Sequence, residues 1–415
     1  MNKQNLKRAL DQDLTNHQKK DDIIVKKPKK ACLSTRKNDY SRDGCNYSFR
    51  KPQEIGCFSV DKNRGFCDDA KNKLKVYYNP PPSSSSAAGQ PSEAHRVRFD
   101  LKVGFSSFDN RDKVKPNVKI SPVPIDLLLK WIVSKKHVLL RSDQQSKNLL
   151  TDFISWRGIL TRILCTPYET RDAWIIAVSK FNGTFYLCEF ETEKKLREAL
   201  NPEPRHEQMS YWGYKFEHYV TCERKNGEVG CPEDPSTPIN NSECFNTVLR
   251  SRLNSHSLIF SAEVDCVDPA RTDRSQDGYI ELKTSREFTH PRQKTSFKRY
   301  KLLKWWAQSY LAGINRIICG FRNDDGIVER LQSYEVDNLP KMAQEVPGSW
   351  RPDVCMKFYD AFLSFVKETV IEDDPKVVHL FRFDPDVRRD EVFIEEQRRD
   401  SPYVFLPDWY IHEMT

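Results

Sequence analysis

At 415 residues with 38% hydrophobic side chains, the chain is long enough to bury a sizeable core. Its net charge of +8 is concentrated at one end: residues 1–50 carry thirteen Lys and Arg against six Asp, so the other 365 are close to neutral and would need a local groove to bind nucleic acid. No apolar run nears membrane-spanning length, no signal-peptide pattern opens the sequence, and the twelve cysteines include no CxxC pair, which argues against a zinc ribbon and for reduced thiols in nucleus or cytosol.

Residues 1–48 are polar and poor in aromatics, and read as a disordered basic tail. Within them, Val25-Lys-Lys-Pro-Lys-Lys30 has the composition of a nuclear localisation segment. Residues 49–415 read as one large domain, interrupted by a low-complexity loop at about 79–93, Pro80-Pro-Pro-Ser-Ser-Ser-Ser-Ala-Ala-Gly-Gln-Pro91. The run Ile125-Asp-Leu-Leu-Leu-Lys-Trp-Ile-Val133 predicts a buried helix. Trp174–Ser179 and Gly183–Phe190 predict two strands turning through Asn182-Gly183. Gly213-Tyr-Lys-Phe-Glu217 reads as a helix start, with His218 on the helix surface.

Two further strands are expected from Leu258-Ile-Phe-Ser-Ala-Glu-Val-Asp-Cys266 and Gly278-Tyr-Ile-Glu-Leu-Lys-Thr284, joined by a polar turn as a hairpin. Alternate strand residues share a face, so Glu263 and Asp265 point one way, and Glu281 and Lys283 do the same on their strand. Three carboxylates crowded on apolar strands repel one another and resist burial. A divalent cation relieves both penalties, and an all-oxygen donor set favours Mg²⁺ or Mn²⁺ over zinc. Ser296 to about Leu311 then reads as a helix with Leu303, Trp306, Ala307, Tyr310 and Leu311 on its core face. Lys301, Lys304 and Gln308 share another face, and Gly313 ends the helix. Arg316–Arg322 is expected as a strand turning through Asn323-Asp-Asp-Gly326.

The D…ExK arrangement of Asp265, Glu281 and Lys283 resembles a nuclease core shared by restriction-type enzymes. Taken with Trp156-Arg157-Gly158, the Gly213–Glu217 run and Lys301-Leu-Leu-Lys-Trp-Trp-Ala-Gln308, in that order, the chain resembles the DXO family of RNA decapping nucleases from about residue 50 onward. That resemblance implies an α/β (α+β) fold of mixed central sheets flanked by helices. It implies a hydrolase that removes incomplete or non-canonical caps, such as unmethylated guanosine and NAD caps, and that acts on 5′-triphosphate ends and in the 5′→3′ exonuclease direction.

By the same resemblance Glu217, Glu263, Asp265, Glu281 and the Leu282 carbonyl hold Mg²⁺ or Mn²⁺, two ions per site, and Lys283 orients the nucleophile or neutralises charge on phosphorus. Trp156, Arg157, Gly158, Gln308, Arg64 and Asn246 would line the substrate, with Arg157 and Gln308 outside the metal cage as clamps. Asn246 stands where relatives can carry a Cys; the nearest here is Cys244. Implied partners are RNA 5′ ends and a nuclear 5′→3′ exoribonuclease, with the nucleus, and also the cytoplasm, as location. Two rival readings are a non-catalytic stabiliser of such an exonuclease and a DNA endonuclease built on the same core.

Overall fold

Two large mixed β-sheets meet along one seam. The computed structural model describes residues 32–41, 47–68, 70–81, 95–108, 122–140, 148–225, 228–271 and 275–415. Cys32–Thr415 form one compact unit. The basic run at 25–30 and most of the expected 79–93 loop lie outside the described residues.

The ten-stranded sheet runs, edge to edge, through Cys32–Ser34, Arg388–Gln397, Val378–Asp384, Trp174–Phe181, Thr184–Phe190, Phe153–Trp156, His256–Glu263, Cys244–Leu253, Phe49–Val60 and Phe66–Asp68. The seven-stranded sheet runs through His95–Asp100, Ile327–Glu335, Arg316–Arg322, Tyr279–Arg286, Cys266–Val267, Val76–Tyr77 and Thr221–Cys222. Tyr279–Arg286 and Arg316–Arg322 are parallel, so the chain between them must cross over. It does so through helical residues Pro291–Ala312, which end at Gly313 in the left-handed region with φ 67°. The expected helix is present, but Phe297–Lys301 within it is a π-turn.

Helix Asp126–Ser134 buries Leu128, Leu129, Trp131 and Ile132 as anticipated. The Trp174–Phe181/Thr184–Phe190 hairpin turns at Asn182 (φ 48°) and Gly183 (φ 75°), the pair of left-handed residues that a tight hairpin requires. Arg316–Arg322 pairs with Ile327–Glu335 across a turn ending at Gly326.

Three expectations fail. The folded part starts ahead of residue 48: Cys32–Ser34 pairs with Glu391–Phe393 at a sheet edge, and the Tyr40 ring packs edge-on to Phe358 at 5.4 Å. Glu217 lies not at a helix start but in the last turn of Pro204–Val220, whose start is marked by Pro204 in its first turn. The two acidic strands do not form a simple hairpin. His256–Glu263 belongs to the ten-stranded sheet and Tyr279–Arg286 to the seven-stranded one. The chain leaves the first sheet after Glu263, and only Cys266–Val267 pair back with Tyr279–Ile280.

Core side chains explain why this seam holds. Phe245, Phe260 and Ala262 of one sheet share a cluster with Ile317, Cys319 and Phe321 of the other, together with residues of helices Arg157–Cys165, Leu302–Ala312 and Pro352–Thr369. A polar tie reinforces it. Glu54 Oε2 accepts from Thr247 Oγ1 (2.7 Å) in its own sheet and from Tyr279 Oη (2.5 Å) in the other, while Lys71 pairs with Oε1 (2.8 Å).

Candidate active site

The functional side chains reach the seam from several elements. Along Tyr279–Arg286, Ile280 and Leu282 face helix Pro204–Val220 and pack with Tyr211, Trp212 and Phe216. Glu281 and Lys283 therefore face the opposite way, as strand alternation requires. The helix can lie this close because a Cβ on Gly320 would come within 2.5 Å of the Phe216 ring. Its last turn then carries Glu217 to the seam.

Glu281 is 1% exposed. Its Oε1 accepts from Lys283 Nζ at 2.6 Å and its Oε2 from Arg157 Nη1 at 3.0 Å. Burial pushes its pKa up, but these two cations outweigh that and hold it below the usual carboxylate value. Burial would lower Lys283, yet Glu281 and Asp265 more than compensate and hold it charged. Asp265 has the opposite balance. It is half-buried, and desolvation together with the nearby Glu281 and Glu217 raises its pKa well above the ordinary range. Glu217 is raised to about 7 by burial and by Glu263. Glu263, at the end of its strand, is exposed.

Asp265 also reshapes the neighbouring backbone. Its Oδ2 accepts from the Leu282 N–H at 2.6 Å, in place of a strand partner. In a strand a residue's N–H and C=O point to one edge, so the Leu282 carbonyl is turned toward the same acidic seam. This is the break in pairing that a carbonyl ligand needs: the ladder with Cys266–Val267 covers only Tyr279 and Ile280.

Four carboxylates and a turned carbonyl form a hard-oxygen donor set, and the upward push on Asp265 and Glu217 is what a divalent cation would relieve. The residues fit such an ion by chemistry. As placed, no three His, Cys, Asp or Glu side chains among the described residues stand close enough to hold one; Glu281 is engaged by its two cations and Asp265 by the Leu282 amide. Coordination therefore calls for side-chain rotation at the seam.

The remaining expected residues divide. Arg157 is not outside the carboxylate cluster: it is 8% exposed and bonded to Glu281 within it. Trp156 ends its strand, stacks edge-on to Phe58 and donates Nε1 to the Pro124 carbonyl at 2.9 Å. Gly158 and Gln308 meet in one cavity of about 410 Å³, also lined by Arg162, Glu189 and Lys304. Nothing lies within 4 Å of where a Gly158 Cβ would be.

Asn246 is the cross-strand partner of Glu263, and its Nδ2 donates to Cys244 Sγ at 3.2 Å. Arg64 sits exposed in the Asp61–Gly65 turn at φ 64°. His218 is buried rather than on the surface, with Nε2 at 3.1 Å from the Asp234 carbonyl oxygen.

Lys75 is the residue that the sequence reading missed. With Glu217 and Glu263 it lines a second cavity of about 300 Å³, and its charge acts directly on Glu217. It is fixed there by Val267, whose N–H donates to the Lys75 carbonyl at 3.0 Å. One lysine ahead of a two-residue strand carries no pattern that would mark it.

The comparisons with known proteins agree with this geometry. A family model described as "RAI1 like PD-(D/E)XK nuclease" matches residues 50–411. A human protein named decapping and exoribonuclease protein is 40% identical over 368 residues, covering 88% of this chain and 86% of that protein. The decapping nuclease RAI1 of Aspergillus fumigatus is 31% identical over 79% of this chain and 85% of its own length. Among solved structures, Candida albicans Rai1 in complex with pU5 and Mn²⁺ superposes with a TM-score of 0.72 at 23% identity, covering 92% of this chain and 99% of that one. The chain belongs to the RAI1-like PD-(D/E)XK nuclease family.

Proposed function

We infer that this chain is a divalent-metal-dependent hydrolase acting on RNA 5′ ends, a decapping nuclease with exoribonuclease activity. The observation that carries the reading is the seam itself: Glu217, Glu263, Asp265 and Glu281 converge from two sheets and a helix beside Lys283, in a chain 40% identical to a decapping and exoribonuclease protein. Those four carboxylates and the Leu282 carbonyl would hold the cation, Mg²⁺ or Mn²⁺, two per site. The manganese named in the Candida albicans Rai1 structure supports a divalent ion in this fold. When bound, it neutralises charge on the scissile phosphate and activates the attacking water.

The protein's own groups do the rest. Lys283, held charged by Glu281 and Asp265, donates to a phosphate oxygen as negative charge builds there. Glu263, the one exposed carboxylate of the four, is the group that takes the proton from water. Arg157 is a positioning residue, fixing the buried Glu281 oxygen that Lys283 does not hold. Gly158 and Gln308 leave a cleft beside the seam for the nucleotide.

The substrates we assign are unmethylated guanosine caps, NAD caps and 5′-triphosphates, with 5′→3′ degradation of monophosphate RNA. The basic run at 25–30 supports a nuclear location, and a nuclear 5′→3′ exoribonuclease is the assigned protein partner. A panel of RNAs differing only at the 5′ end, with EDTA and with Mg²⁺, tests the reading. Metal-dependent release of the terminal group is expected; circular RNA or DNA cut as fast as capped linear RNA would overturn it.

A further inference from the structure

The cavity holding Gly158 and Gln308 continues into another of about 450 Å³, with Cys165, Glu169, Asp172 and Lys304 lining both. The extension is lined by Arg171, Ser285, Phe288, Tyr300 and Lys301. It follows the helical segment back from Gln308 to Tyr300, eight residues or roughly 12 Å at the helical rise. Gly158 directly follows Arg157, whose guanidinium bonds Glu281, so the Gln308 end of the groove starts beside the reacting centre.

Most charges here are already answered. Lys304 pairs with Glu169 and Asp172 (both 3.1 Å), Arg286 with Asp324, and Glu287 with Arg330 at 2.7 Å. Arg171 and Lys301 have no carboxylate partner among the described residues; Lys301 Nζ donates to Ser285 Oγ at 3.2 Å. Tyr300 is 43% exposed, an unusual setting for a large ring, and the Arg171 guanidinium lies 5.9 Å from its centroid. Both Tyr300 and Lys301 sit on the π-turn, an irregularity that re-aims side chains along a helix. An exposed ring flanked by unanswered cations is the chemistry that holds a single nucleic-acid strand, the ring stacking on a base and the cations meeting phosphates.

The polarity of that strand follows from the two sides of the seam. The cavity with Glu217, Glu263 and Lys75 is smaller, about 300 Å³, and less open to solvent than the groove. A terminal cap has fixed size, whereas the body of an RNA has none and must leave through the open side.

Resting on the function proposed above, we propose that the groove from Gln308 to Tyr300 carries the RNA strand 3′ of the scissile phosphate, with a base stacked on Tyr300 and phosphates against Arg171 and Lys301. At about 3.4 Å per stacked nucleotide, Tyr300 is reached about three to four nucleotides beyond Gln308. Length dependence is therefore the signature.

The test is equilibrium binding of 5′-monophosphate RNAs of two, five and ten nucleotides to the full chain, in Ca²⁺ to suppress turnover, with hydrolysis in Mg²⁺ measured in parallel. Wild type is expected to gain affinity between two and five nucleotides. Tyr300→Ala and Arg171→Ala each lose about tenfold on the ten-nucleotide RNA and less than twofold on the dinucleotide, and Tyr300→Phe retains the gain. Equal losses on all lengths, or no loss on any, overturn the groove even where Mg²⁺-dependent hydrolysis upholds the function. Hydrolysis absent on every RNA would refute the function, and the binding series still decides the groove. Binding of ten-nucleotide duplex RNA as tightly as the single strand would also overturn it.

Discussion

Asp152 and Asp265 are the same residue in two settings. Asp152 accepts from the Ser257 N–H and hydroxyl, both at 2.7 Å, and pairs with Lys367 at 3.0 Å. Burial alone would raise its pKa, but those donors outweigh burial and hold it below the usual value. Asp265 is likewise half-buried and pushed up by desolvation, yet it has one amide donor and faces Glu281 and Glu217, and its pKa is driven up. The first carboxylate is satisfied by the protein and serves the fold. The second stands among like charges that Lys283 only partly offsets, the setting that a divalent cation would relieve.

The largest test of that contrast is activity. EDTA should abolish hydrolysis and Mg²⁺ or Mn²⁺ restore it. Glu263→Ala and Asp265→Ala should each lower kcat/KM by about 10²-fold or more; steady-state kinetics on capped RNA decide it. Asp152→Ala should leave kcat within twofold.

Stability should invert the order. Breaking the Arg157–Glu281 pair with Arg157→Ala should cost about 2 kcal/mol, the loss of one buried charged hydrogen bond while Lys283 still holds the other oxygen, and it should weaken metal affinity because one Glu281 oxygen is no longer fixed. Asp152→Ala should cost about 2 kcal/mol for its lost charged hydrogen bonds. Asp265→Ala should leave metal-free stability unchanged or higher, since it removes repulsion; urea unfolding in EDTA reads all three. A destabilised Asp265→Ala would end the comparison.

Tyr279→Phe should be milder, about 1 kcal/mol from the tie to Glu54, with a fall in kcat if that tie aligns the sheets. The smallest effect is in pH. A depressed carboxylate stabilises the fold above its unfolded pKa and loses that contribution as pH falls through the lower folded value. Asp152→Asn should therefore flatten the loss of stability on the acid side of pH 4, and a curve identical to wild type would remove Asp152 from that role.

The chemistry at the seam was more legible in the sequence than its geometry. Glu263, Asp265, Glu281 and Lys283 stand out because charges at alternate positions of apolar runs have no structural use. Their assembly did not stand out, because alternation gives a strand's faces and not its sheet, so a crossing after Glu263 looks like a hairpin. Glu217 was misplaced within its helix because residues 205–208 are all polar and give the first turn after Pro204 no apolar period. Cys32–Ser34 was lost to the tail because a three-residue edge strand has too few positions to show a period. Arg157 was put on the substrate because a sequence motif names a guanidinium and says nothing of its partner.

The crossing after Glu263 has a consequence for how the enzyme comes into being. Glu263 completes a strand paired in register with residues 244–253, whereas Glu281 and Lys283 lie on a strand whose parallel neighbour begins at Arg316, beyond a helical crossover. Contacts so distant in sequence form late, after the intervening loops have closed. A nascent or half-folded chain can thus hold either sheet and still lack the site. Hydrolysis should appear in refolding only with the last, slowest phase, so that RNA in the cell meets this nuclease finished or not at all.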